Sequence, residues 1–533
     1  MSMAVNPEQT ASLTSYYQHN GVKKEEYICD EDYNIQGVLK YYTPDGRLFI
    51  ADEYKDDNLV GVKYFDEDAN VYYSTKENKG KLAFKLFYFD NALREEGEYK
   101  NNLKDGVWKT YYGTGQLKFK MNYKENELDG KYEEYYQNGT LKRECWYEDG
   151  VLDGEYTSYY ISKNVEHHGW YYKGFEEGEW KSYFPDGAIS QKVYYHKGKI
   201  EGVEVIYTVT GKPKYIINNK NGVVLTETLL DGEGYVISEC IINKGTGKIL
   251  HKNNNNTIVK EATSINGEFD GKIIWRYSNG NIDTEGYLLN GKRHGKWTWY
   301  YPDGSISVEG SYVNGEAYNT WSSYYEEGGL YAKYDYVADE LCGVYYGYSE
   351  NGSLTYKKKY LEGNIHDTAY YYSDEGELKY IKYFNQGNFL AYTYLNEDNE
   401  LIEPVKVENG TGKIVAYYGS TKQKSIEYEL VNGLFEGELK EYYSSGQIKE
   451  VKNYIGDELN GVAKEFYSNG NLKNEENFLY NNLHGLCKYF HSNGNIKAEK
   501  YYINNRLHGT VKTYDETGAL TETHTYYNGD IID

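Results

Sequence analysis

The chain has 533 residues, and its 58 Lys and Arg against 82 Asp and Glu give a formal charge of −24. This charge disfavours a nucleic-acid partner or a membrane surface, because phosphate binding requires a cationic face. Apolar residues make up 39% of the sequence and never occupy eighteen successive positions, so no transmembrane segment is predicted.

The start of the chain lacks the basic and apolar regions of a secretory signal, so a cytoplasmic location is expected. The five cysteines are Cys29, Cys145, Cys240, Cys342 and Cys487. They are odd in number, far apart and without a C-x-x-C pair, which fits neither a disulfide framework nor a zinc site. We expect buried, reduced thiols.

Tyrosine and glycine, with 67 and 56 residues, are spread evenly along the chain, which indicates internal repeats. Successive units begin mostly at a glycine, and neighbouring starts lie 24 residues apart over long stretches. The unit starts are Gly37, Gly106, Gly130, Gly154, Gly178, Gly202, Gly271, Gly295, Asn319, Gly343, Asp367, Gly437, Gly461, Gly485 and Gly509.

Each unit is predicted to be a β-hairpin. The tenth position is Gly in every unit except one, where Lys163 replaces it, and an Asn or Asp commonly precedes that Gly. In Pro302-Asp303-Gly304 the proline favours a type I turn and the glycine supplies positive φ. The sixth position is aromatic apart from Arg276, the twelfth is aliphatic apart from Pro213, and the eighteenth is usually aromatic. Since a lone hairpin is marginal in water, we expect the hairpins to stabilise one another.

A longer period of 165 residues lies over the short one. Similar phrases surround Gly80, Gly245 and Gly410. We therefore predict an N-terminal cap at 1–36, in which Tyr17 and Gly21 have the spacing of a half-unit, and three copies of hairpin repeats at 37–201, 202–366 and 367–533. Each copy contains one variant stretch, at about 62–105, 227–270 and 392–436, and the run from Asn253 to Asn256 is predicted to be a solvated loop.

The unit pattern, clearest at 130–141 and 178–189, resembles the MORN repeat, in the variant found in bacterial proteins called YwqK-family antitoxins. This resemblance implies an all-β, elongated repeat protein made of consecutive antiparallel hairpins in a single-layer twisted sheet. Such sheets are used as scaffolds for proteins or lipids. The antitoxin name implies neutralisation of a toxin by direct binding.

Two patterns are partly similar to sites that carry chemistry. The fragments 245–248 and 410–413 end like a phosphate-binding loop, but Ile242 and Val407 replace the first glycine and no helix follows. His294, His484 and His508 share one place in their units, and a metal-binding ladder is a hypothesis there, against the alternative of a repeated polar turn residue. No catalytic constellation, metal site or cofactor is predicted, and no small-molecule ligand is expected.

Tyrosine pairs at the sixth and seventh positions should point to opposite faces of the sheet, so that one member can be exposed. Exposed tyrosine is favoured at protein interfaces, although stacking that holds the sheet together is the alternative role. The candidate partner-binding residues are Tyr112, Tyr136, Tyr160, Tyr301, Tyr325 and Tyr443.

These observations predict a non-enzymatic scaffold that binds a protein partner, and a basic partner would suit the charge of −24. Antitoxin or immunity-like neutralisation is the specific form that the resemblance implies. Two alternatives remain open. Carbohydrate or cell-wall binding through aromatic ladders is disfavoured by the missing signal segment, and a membrane-associated MORN scaffold is disfavoured by the charge.

Overall fold

The computed structural model describes residues 11–16, 23–30, 34–43, 46–88, 91–242, 245–253, 256–361, 363–385 and 387–531. The chain divides into two compact units, 1–154 and 155–533. Over the described ranges the fold is built from antiparallel strands, and its one helical element is a 3₁₀ turn at Glu408–Gly410. No helix of these ranges is long and apolar enough to cross a bilayer.

The first unit contains two sheets, with the strand orders β1 to β6 and β7-β8-β9-β10-β12-β13, and β11 pairs with β10. Its strands are β1 (Ala11–Tyr16), β2 (Lys23–Cys29), β3 (Ile35–Tyr42), β4 (Leu48–Lys55), β5 (Asn58–Phe65), β6 (Val71–Lys76), β7 (Lys81–Phe87), β8 (Leu93–Lys100), β9 (Leu103–Tyr111), β10 (Leu117–Lys124), β11 (Glu127–Leu128), β12 (Gly130–Tyr135) and β13 (Leu141–Glu148). The boundary between the units falls within β14 (Val151–Tyr159).

The second unit first continues through β15 (Val165–Tyr172), β16 (Phe175–Tyr183), β17 (Ile189–His196), β18 (Lys199–Ile200), β19 (Gly202–Tyr207), β20 (Pro213–Lys220), β21 (Val223–Leu230) and β22 (Val236–Ile241). Neighbours along the chain pair with one another, except that β17 pairs with both β18 and β19. The sheet ends at β22.

A separate sheet then contains β23 (Gly247–Lys252), β24 (Ile258–Ile265), β25 (Glu268–Phe269), β26 (Gly271–Arg276), β27 (Ile282–Leu289), β28 (Lys292–Tyr300), β29 (Ile306–Val313), β30 (Glu316–Tyr324), β31 (Leu330–Val337), β32 (Glu340–Tyr348), β33 (Leu354–Leu361), β34 (Asn364–Tyr372), β35 (Leu378–Asn385), β36 (Asn388–Thr393) and β37 (Val405–Lys406). Again the strands pair in chain order, with β24 pairing with both β25 and β26.

The last sheet contains β38 (Gly412–Tyr417), β39 (Lys424–Val431), β40 (Leu434–Tyr442), β41 (Ile448–Ile455), β42 (Glu458–Leu459), β43 (Gly461–Phe466), β44 (Leu472–Leu479), β45 (Asn482–Leu483), β46 (Gly485–Phe490), β47 (Ile496–Ile503), β48 (Arg506–Leu507), β49 (Gly509–Tyr514), β50 (Leu520–Tyr527) and β51 (Asp530–Ile531). The two-residue strands β42, β45 and β48 pair beside the main path, with β41, β44 and β47.

The hairpin turns have the predicted chemistry. In the turn at 301–305, the Tyr301 N–H donates to Ser305 C=O at 2.8 Å and the Gly304 N–H donates to Tyr301 C=O at 2.9 Å. Gly304 has φ +96°, a region that costs glycine little. Lys163, which replaces the glycine in one unit, adopts φ +72° itself, so the turn imposes the left-handed conformation on a residue that has a Cβ.

One side of the hairpins, called the packed face here, is built on the third and sixteenth positions of the unit. Trp297 and Trp321, at the third position, are 1% and 6% exposed. Each indole lies on the sixteenth-position glycine of the preceding hairpin, where a Cβ on Gly286 would come within 2.3 Å of Trp297 and one on Gly310 within 2.1 Å of Trp321. The Tyr312 ring, at the eighteenth position, meets Trp321 edge-on at a centroid distance of 5.2 Å. Neighbouring hairpins therefore interlock through shape and through edge-to-face aromatic contacts.

The sheets end at the short segments that recur every 165 residues, around Gly80, Gly245 and Gly410. A glycine carbonyl at each joint accepts an N–H from a later turn: Asn101 donates to Gly80 at 2.6 Å, Gly267 to Gly245 at 2.8 Å and Gly433 to Gly410 at 2.7 Å. The three apolar clusters of the described residues lie at these joints and centre on Phe49, Ile50, Val62 and Tyr64; on Ile242, Ile249, Ala262, Ile273 and Trp297; and on Tyr380, Phe389, Tyr392, Ile414, Ile426 and Tyr428. Two of the recurring segments contribute a core residue to their joint, Ile249 and Ile414.

The joint between β37 and β38 buries a lysine among aromatic rings. Lys382 is 7% exposed. Its Nζ lies within 5.7 Å of five ring centroids, those of Tyr371, Tyr380, Phe389, Tyr428 and Phe435. Burial lowers the pKa of Lys382 to about 7, because the charged ammonium loses its hydration, and the nearby Lys358 lowers the pKa further.

Within the second unit, turns near the end of the chain contact turns between the early strands. The Val209 N–H donates to Asn528 Oδ1 at 3.2 Å, and Asn504 Nδ2 donates to Asp186 Oδ2 at 3.0 Å. Midway along, Lys379 and Glu441 form an ion pair at 2.8 Å between two sheets. The predicted hairpin sheet therefore also packs against itself within this unit.

The predicted all-β fold of consecutive antiparallel hairpins is confirmed, and the division into three copies stays a prediction. The segment predicted to be a cap contains β1 and β2, and Tyr17 and Gly21 lie outside the described residues. The same holds for the centre of the Asn253 to Asn256 run, which separates β23 from β24.

The contact between glycine and tryptophan makes a testable prediction. Gly286→Ala should lower the free energy of unfolding by about 3 kcal/mol, because its Cβ would overlap the Trp297 ring. Gly247→Ala is the matched control, since its Cβ would meet Ile242 at an ordinary 3.8 Å. Urea unfolding followed by tryptophan fluorescence measures both variants. Equal losses would contradict the interlocking role of Gly286.

The buried lysine predicts a pH dependence. Because the folded pKa of Lys382 is depressed from the ordinary 10.5, protonation opposes folding, and the stability of the wild type should rise as the pH rises from about 7 towards 10.5. Lys382→Met should be more stable than the wild type at pH 6, with a difference that shrinks by pH 9. The exposed Lys357→Met is the control. Thermal unfolding of the three proteins is measured across this pH range. Identical pH profiles for the wild type and Lys382→Met would refute the prediction.

Candidate functional site

The six candidate tyrosines occupy one equivalent place, the first residue of each hairpin turn, and all are half-buried. Five donate their hydroxyl to a backbone carbonyl 23 residues later, at the sixth position of the next hairpin. These bonds join Tyr112 to Tyr135 (2.7 Å), Tyr160 to Tyr183 (2.7 Å), Tyr301 to Tyr324 (2.8 Å), Tyr325 to Tyr348 (2.7 Å) and Tyr443 to Phe466 (2.7 Å). The sixth candidate, Tyr136, also has an interaction partner.

The seventh-position tyrosines therefore have a structural task. Burial raises the pKa of Tyr112, Tyr160 and Tyr325 to about 12 in each case, so the hydroxyls stay protonated donors. Tyr301 and Tyr325 lie in successive hairpins, while Tyr443 lies in the last sheet. The hydrogen bonds of these tyrosines are observed, whereas their role in partner binding stays a prediction.

The sixth-position tyrosines form a second series of contacts. The Tyr300 hydroxyl donates to Glu285 Oε1 at 2.9 Å, and the Tyr324 hydroxyl donates to Glu309 Oε1 at 2.8 Å. Glu309 also pairs with Lys296 at 2.7 Å. Both members of a tyrosine pair thus connect adjacent hairpins.

Exposed aromatic side chains gather on β15 to β17 of the second unit, on the side opposite the packed face, called the open face here. The aromatic strip consists of Trp170, Tyr172, Phe175 and Tyr194, which are 51%, 53%, 56% and 48% exposed. Across the turn between β15 and β16, Tyr172 and Phe175 are direct cross-strand partners. Val203, on the following hairpin, is 52% exposed and extends the apolar surface.

The strand alternation positions this strip. On β15, Gly169 and Tyr171 face Trp180 on the packed side, so the side chains of Trp170 and Tyr172 point to the open side. The Trp180 Nε1–H donates to the Trp170 C=O at 3.2 Å, which ties the backbone of the strip to the packed face. Four aromatic rings are thus held on paired strands.

Charged pairs border the strip. Glu177 accepts from His196 Nδ1 at 2.9 Å and from the Lys197 N–H at 2.9 Å, and these contacts hold the pKa of Glu177 below its usual value. Glu179 lies between Lys181 at 2.6 Å and Lys192 at 2.5 Å, which lower its pKa in the same way. An apolar centre with a polar rim is the common layout of a protein interface.

Sequence reasoning missed this strip because it followed the sixth, seventh and eighteenth positions. The signal lies at the seventeenth position, where an aromatic residue precedes the eighteenth-position tyrosine. The sequence shows it as Trp146-Tyr147, Trp170-Tyr171 and Tyr194-Tyr195, each 24 residues after the last. Adjacent aromatics on a strand must point to opposite faces, which would have placed one set in solvent.

Groups that could carry other chemistry are dispersed. Cys29, Cys145 and Cys487 are buried, as predicted, Cys240 and Cys342 are half-buried, and all five are free thiols. The backbone N–H groups of His484 and His508 bond to Asn477 and Tyr501. Throughout the described ranges, no cluster of three or more His, Cys, Asp or Glu side chains could hold a metal ion.

The tyrosine hydroxyl contacts predict a local loss of stability. Tyr301→Phe should cost about 1 kcal/mol, because the Tyr324 carbonyl loses a half-buried donor. The control, Tyr287→Phe, alters a ring that is 55% exposed on the open face and should change little. Native-state hydrogen exchange across β28 to β30 gives the local free energy. Indistinguishable exchange in the two variants would argue against the hydroxyl contact.

Comparison with known families identifies the hairpins. Eight segments match the MORN repeat variant, at 104–125, 128–149, 176–197, 293–314, 435–455, 459–480, 483–504 and 507–528. Each begins two residues before a unit start in the glycine register, and together they cover about a third of the chain. None of the curated proteins matches the sequence.

Solved structures to which the chain is similar include crystal structures of TcdB2-TccC3 and TcdB2-TccC3-Cdc42 and a structure of the Photorhabdus luminescens Tc holotoxin pore. All three are 10% identical with a TM-score of 0.13, and the alignments cover 98%, 97% and 97% of this chain and 36%, 31% and 32% of those chains. The chain thus spans about a third of their length, and nothing about fold or function is carried over at such a TM-score. The comparison thus rests on the eight segments: this is a repeat protein built from β-hairpins, and eight of its segments match the MORN repeat variant.

Proposed function

We propose that this protein is a non-enzymatic scaffold that binds a basic protein partner through the aromatic strip on its open face. One observation carries the proposal: Trp170, Tyr172, Phe175 and Tyr194 are each about half exposed on paired strands, and Trp180 of the packed face donates a hydrogen bond to the backbone of one of these strands. Rigid Trp and Tyr side chains are the residues that most often contribute the dominant binding energy at protein interfaces.

The charge supports a basic partner. An excess of acidic residues gives the whole chain −24, which would steer a cationic protein towards it at low ionic strength. Glu177 and Glu179, at the border of the strip, are already paired with His196, Lys181 and Lys192, so the support for a basic partner comes from the net charge of the whole chain. A net charge of this kind acts mainly on the association rate and on specificity.

The packed face offers no aromatic ladder on which a glycan could stack, because Trp297 and Trp321 are covered by their neighbouring hairpins. A ligand that contacts aromatic rings therefore binds on the open face. Antitoxin or immunity-like neutralisation of a partner is the more specific form of the proposal, and it is supported by the resemblance of the repeats.

The test compares two matched triple variants of the full chain. Trp170→Ser, Tyr172→Ser and Tyr194→Ser together remove the strip. The control carries Tyr287→Ser, Leu289→Ser and Val313→Ser, which alter open-face residues that are 55%, 44% and 42% exposed on other hairpins. Partners captured by the wild type are identified by mass spectrometry, purified and titrated against all three proteins.

We expect a basic partner whose affinity falls at least about tenfold in the strip variant and stays within about twofold in the control. Its association rate should fall as salt is raised, because steering is screened. A partner that binds the strip variant as well as the wild type, or one that is acidic, would refute the proposal. For the neutralisation form, the partner's toxicity on expression should be suppressed by the wild type and by the control only.

A further inference from the structure

The strand β22 is a sheet edge with unusual exposure. In the described part of the chain its one ladder partner is β21, and β23 begins a separate sheet. Tyr235, Val236 and Ile241, on or next to this strand, are 73%, 63% and 75% exposed, the highest values of any large apolar side chains in the described ranges. Exposed apolar edge strands are templates for pairing with another chain.

The backbone groups of β22 alternate between the sheet and the open side. The Ile242 N–H donates to Leu225 C=O at 2.8 Å, which fixes the register of this ladder. In an antiparallel pair, alternate residues direct their N–H and C=O to opposite sides. The residues that direct these groups away from β21 are Ile237, Glu239 and Ile241.

One face of β22 is anchored. The Cys240 thiol donates to the Leu250 C=O at 3.3 Å and packs against the joint core that contains Ile242 and Ile249. The other face carries Ile237, Glu239 and Ile241, an apolar-acidic-apolar row. The edge is therefore held in an extended conformation before any partner arrives, which lowers the entropic cost of adding a strand.

Strand β22 has few of the features that usually prevent an edge strand from pairing with another chain. Over 236–241 the sequence Val-Ile-Ser-Glu-Cys-Ile has no proline and no lysine, and its single charge is Glu239. Glu239 is exposed and has no ion pair within the described ranges. A cation opposite this carboxylate would pair with it across the strands.

We propose that the open edge of β22 binds an extended segment of a partner protein as an added β-strand, with a Lys or Arg opposite Glu239 and apolar residues opposite Ile237 and Ile241. Main-chain hydrogen bonds supply affinity in this mode of recognition, and the alternating side chains supply specificity. A second copy of this chain fits less well, because it brings the same Glu239 and the same charge of −24.

The inference rests on the proposed function in one respect, namely that the chain binds a protein partner. Its residues are separate from the aromatic strip, so the two surfaces can be tested apart. The probe is a fluorescein-labelled peptide, Thr-Val-Thr-Lys-Thr-Val-Thr, whose Val, Lys and Val side chains share one face of an extended strand. The comparison peptide has Glu in place of the Lys. Binding to the full-length protein is followed by fluorescence anisotropy and by hydrogen exchange.

Two variants address the edge. Ile241→Pro removes one outward N–H and leaves the bonds to β21, since proline is tolerated where the N–H faces away from the sheet. Glu239→Lys reverses the single charge. The strip variant defined above is the matched control, and circular dichroism and thermal unfolding establish that all variants are folded.

We expect the basic peptide to bind about fivefold more tightly than the acidic one and to slow exchange over 236–242. Ile241→Pro should weaken binding at least about fivefold, Glu239→Lys should reverse the preference between the peptides, and the strip variant should bind like the wild type. The proposal is overturned by unchanged binding to Ile241→Pro, by equal binding of the two peptides, or by slow exchange at residues 237, 239 and 241 before peptide is added. Loss of peptide binding in the strip variant would place the peptide on the aromatic strip and would also overturn the proposal. A wild-type dimer that Ile241→Pro dissociates would do the same, because the edge would then bind a second copy of this chain.

Discussion

The structure depends on the contact between each hairpin and the next. A two-stranded hairpin buries too little apolar surface to persist in water. Here a third-position indole lies on a sixteenth-position glycine of the preceding hairpin, with Trp297 on Gly286 and Trp321 on Gly310. A side chain at either glycine would occupy the space of the ring, so the absence of a Cβ there is as necessary as the ring itself. The seventh-position hydroxyls add a hydrogen bond across the same contact.

This nearest-neighbour scheme explains why the apolar cores are few and far apart. Within a sheet, each hairpin contacts only its neighbours, and stability adds up along the ribbon. Where a sheet ends, the ladder of hydrogen bonds is interrupted and another source of stability is needed. The clusters around Tyr64, Ile249 and Tyr428 lie at these places. The 165-residue period therefore reflects the positions of the joints.

The packing between hairpins leaves some surfaces exposed, and these are the surfaces on which the binding proposals are based. The packed face is occupied by rings and glycines, and the turn tyrosines are occupied by hydrogen bonds to the next hairpin. Two kinds of surface remain in the second unit: the open face, with the aromatic strip around Trp170, and the unpaired edge of β22. Both lie on paired strands, and both are adjacent to carboxylates. The proposals for the strip and the edge use these two surfaces.

The sequence by itself determined the hairpin unit, its 24-residue step and the turn at its tenth position, because these depend on local backbone preferences. The positive φ of Gly304 follows from its own turn, and Lys163 adopts the same conformation because the turn requires it. The tertiary structure alone decided that the Tyr301 hydroxyl reaches the next hairpin, that Trp170 stays in solvent and that β22 lacks a second partner. Each of these three features depends on which residues are neighbours in space, across a strand or at the end of a sheet. The alternation of side chains along one strand separates two faces, but it does not show which face other residues will cover.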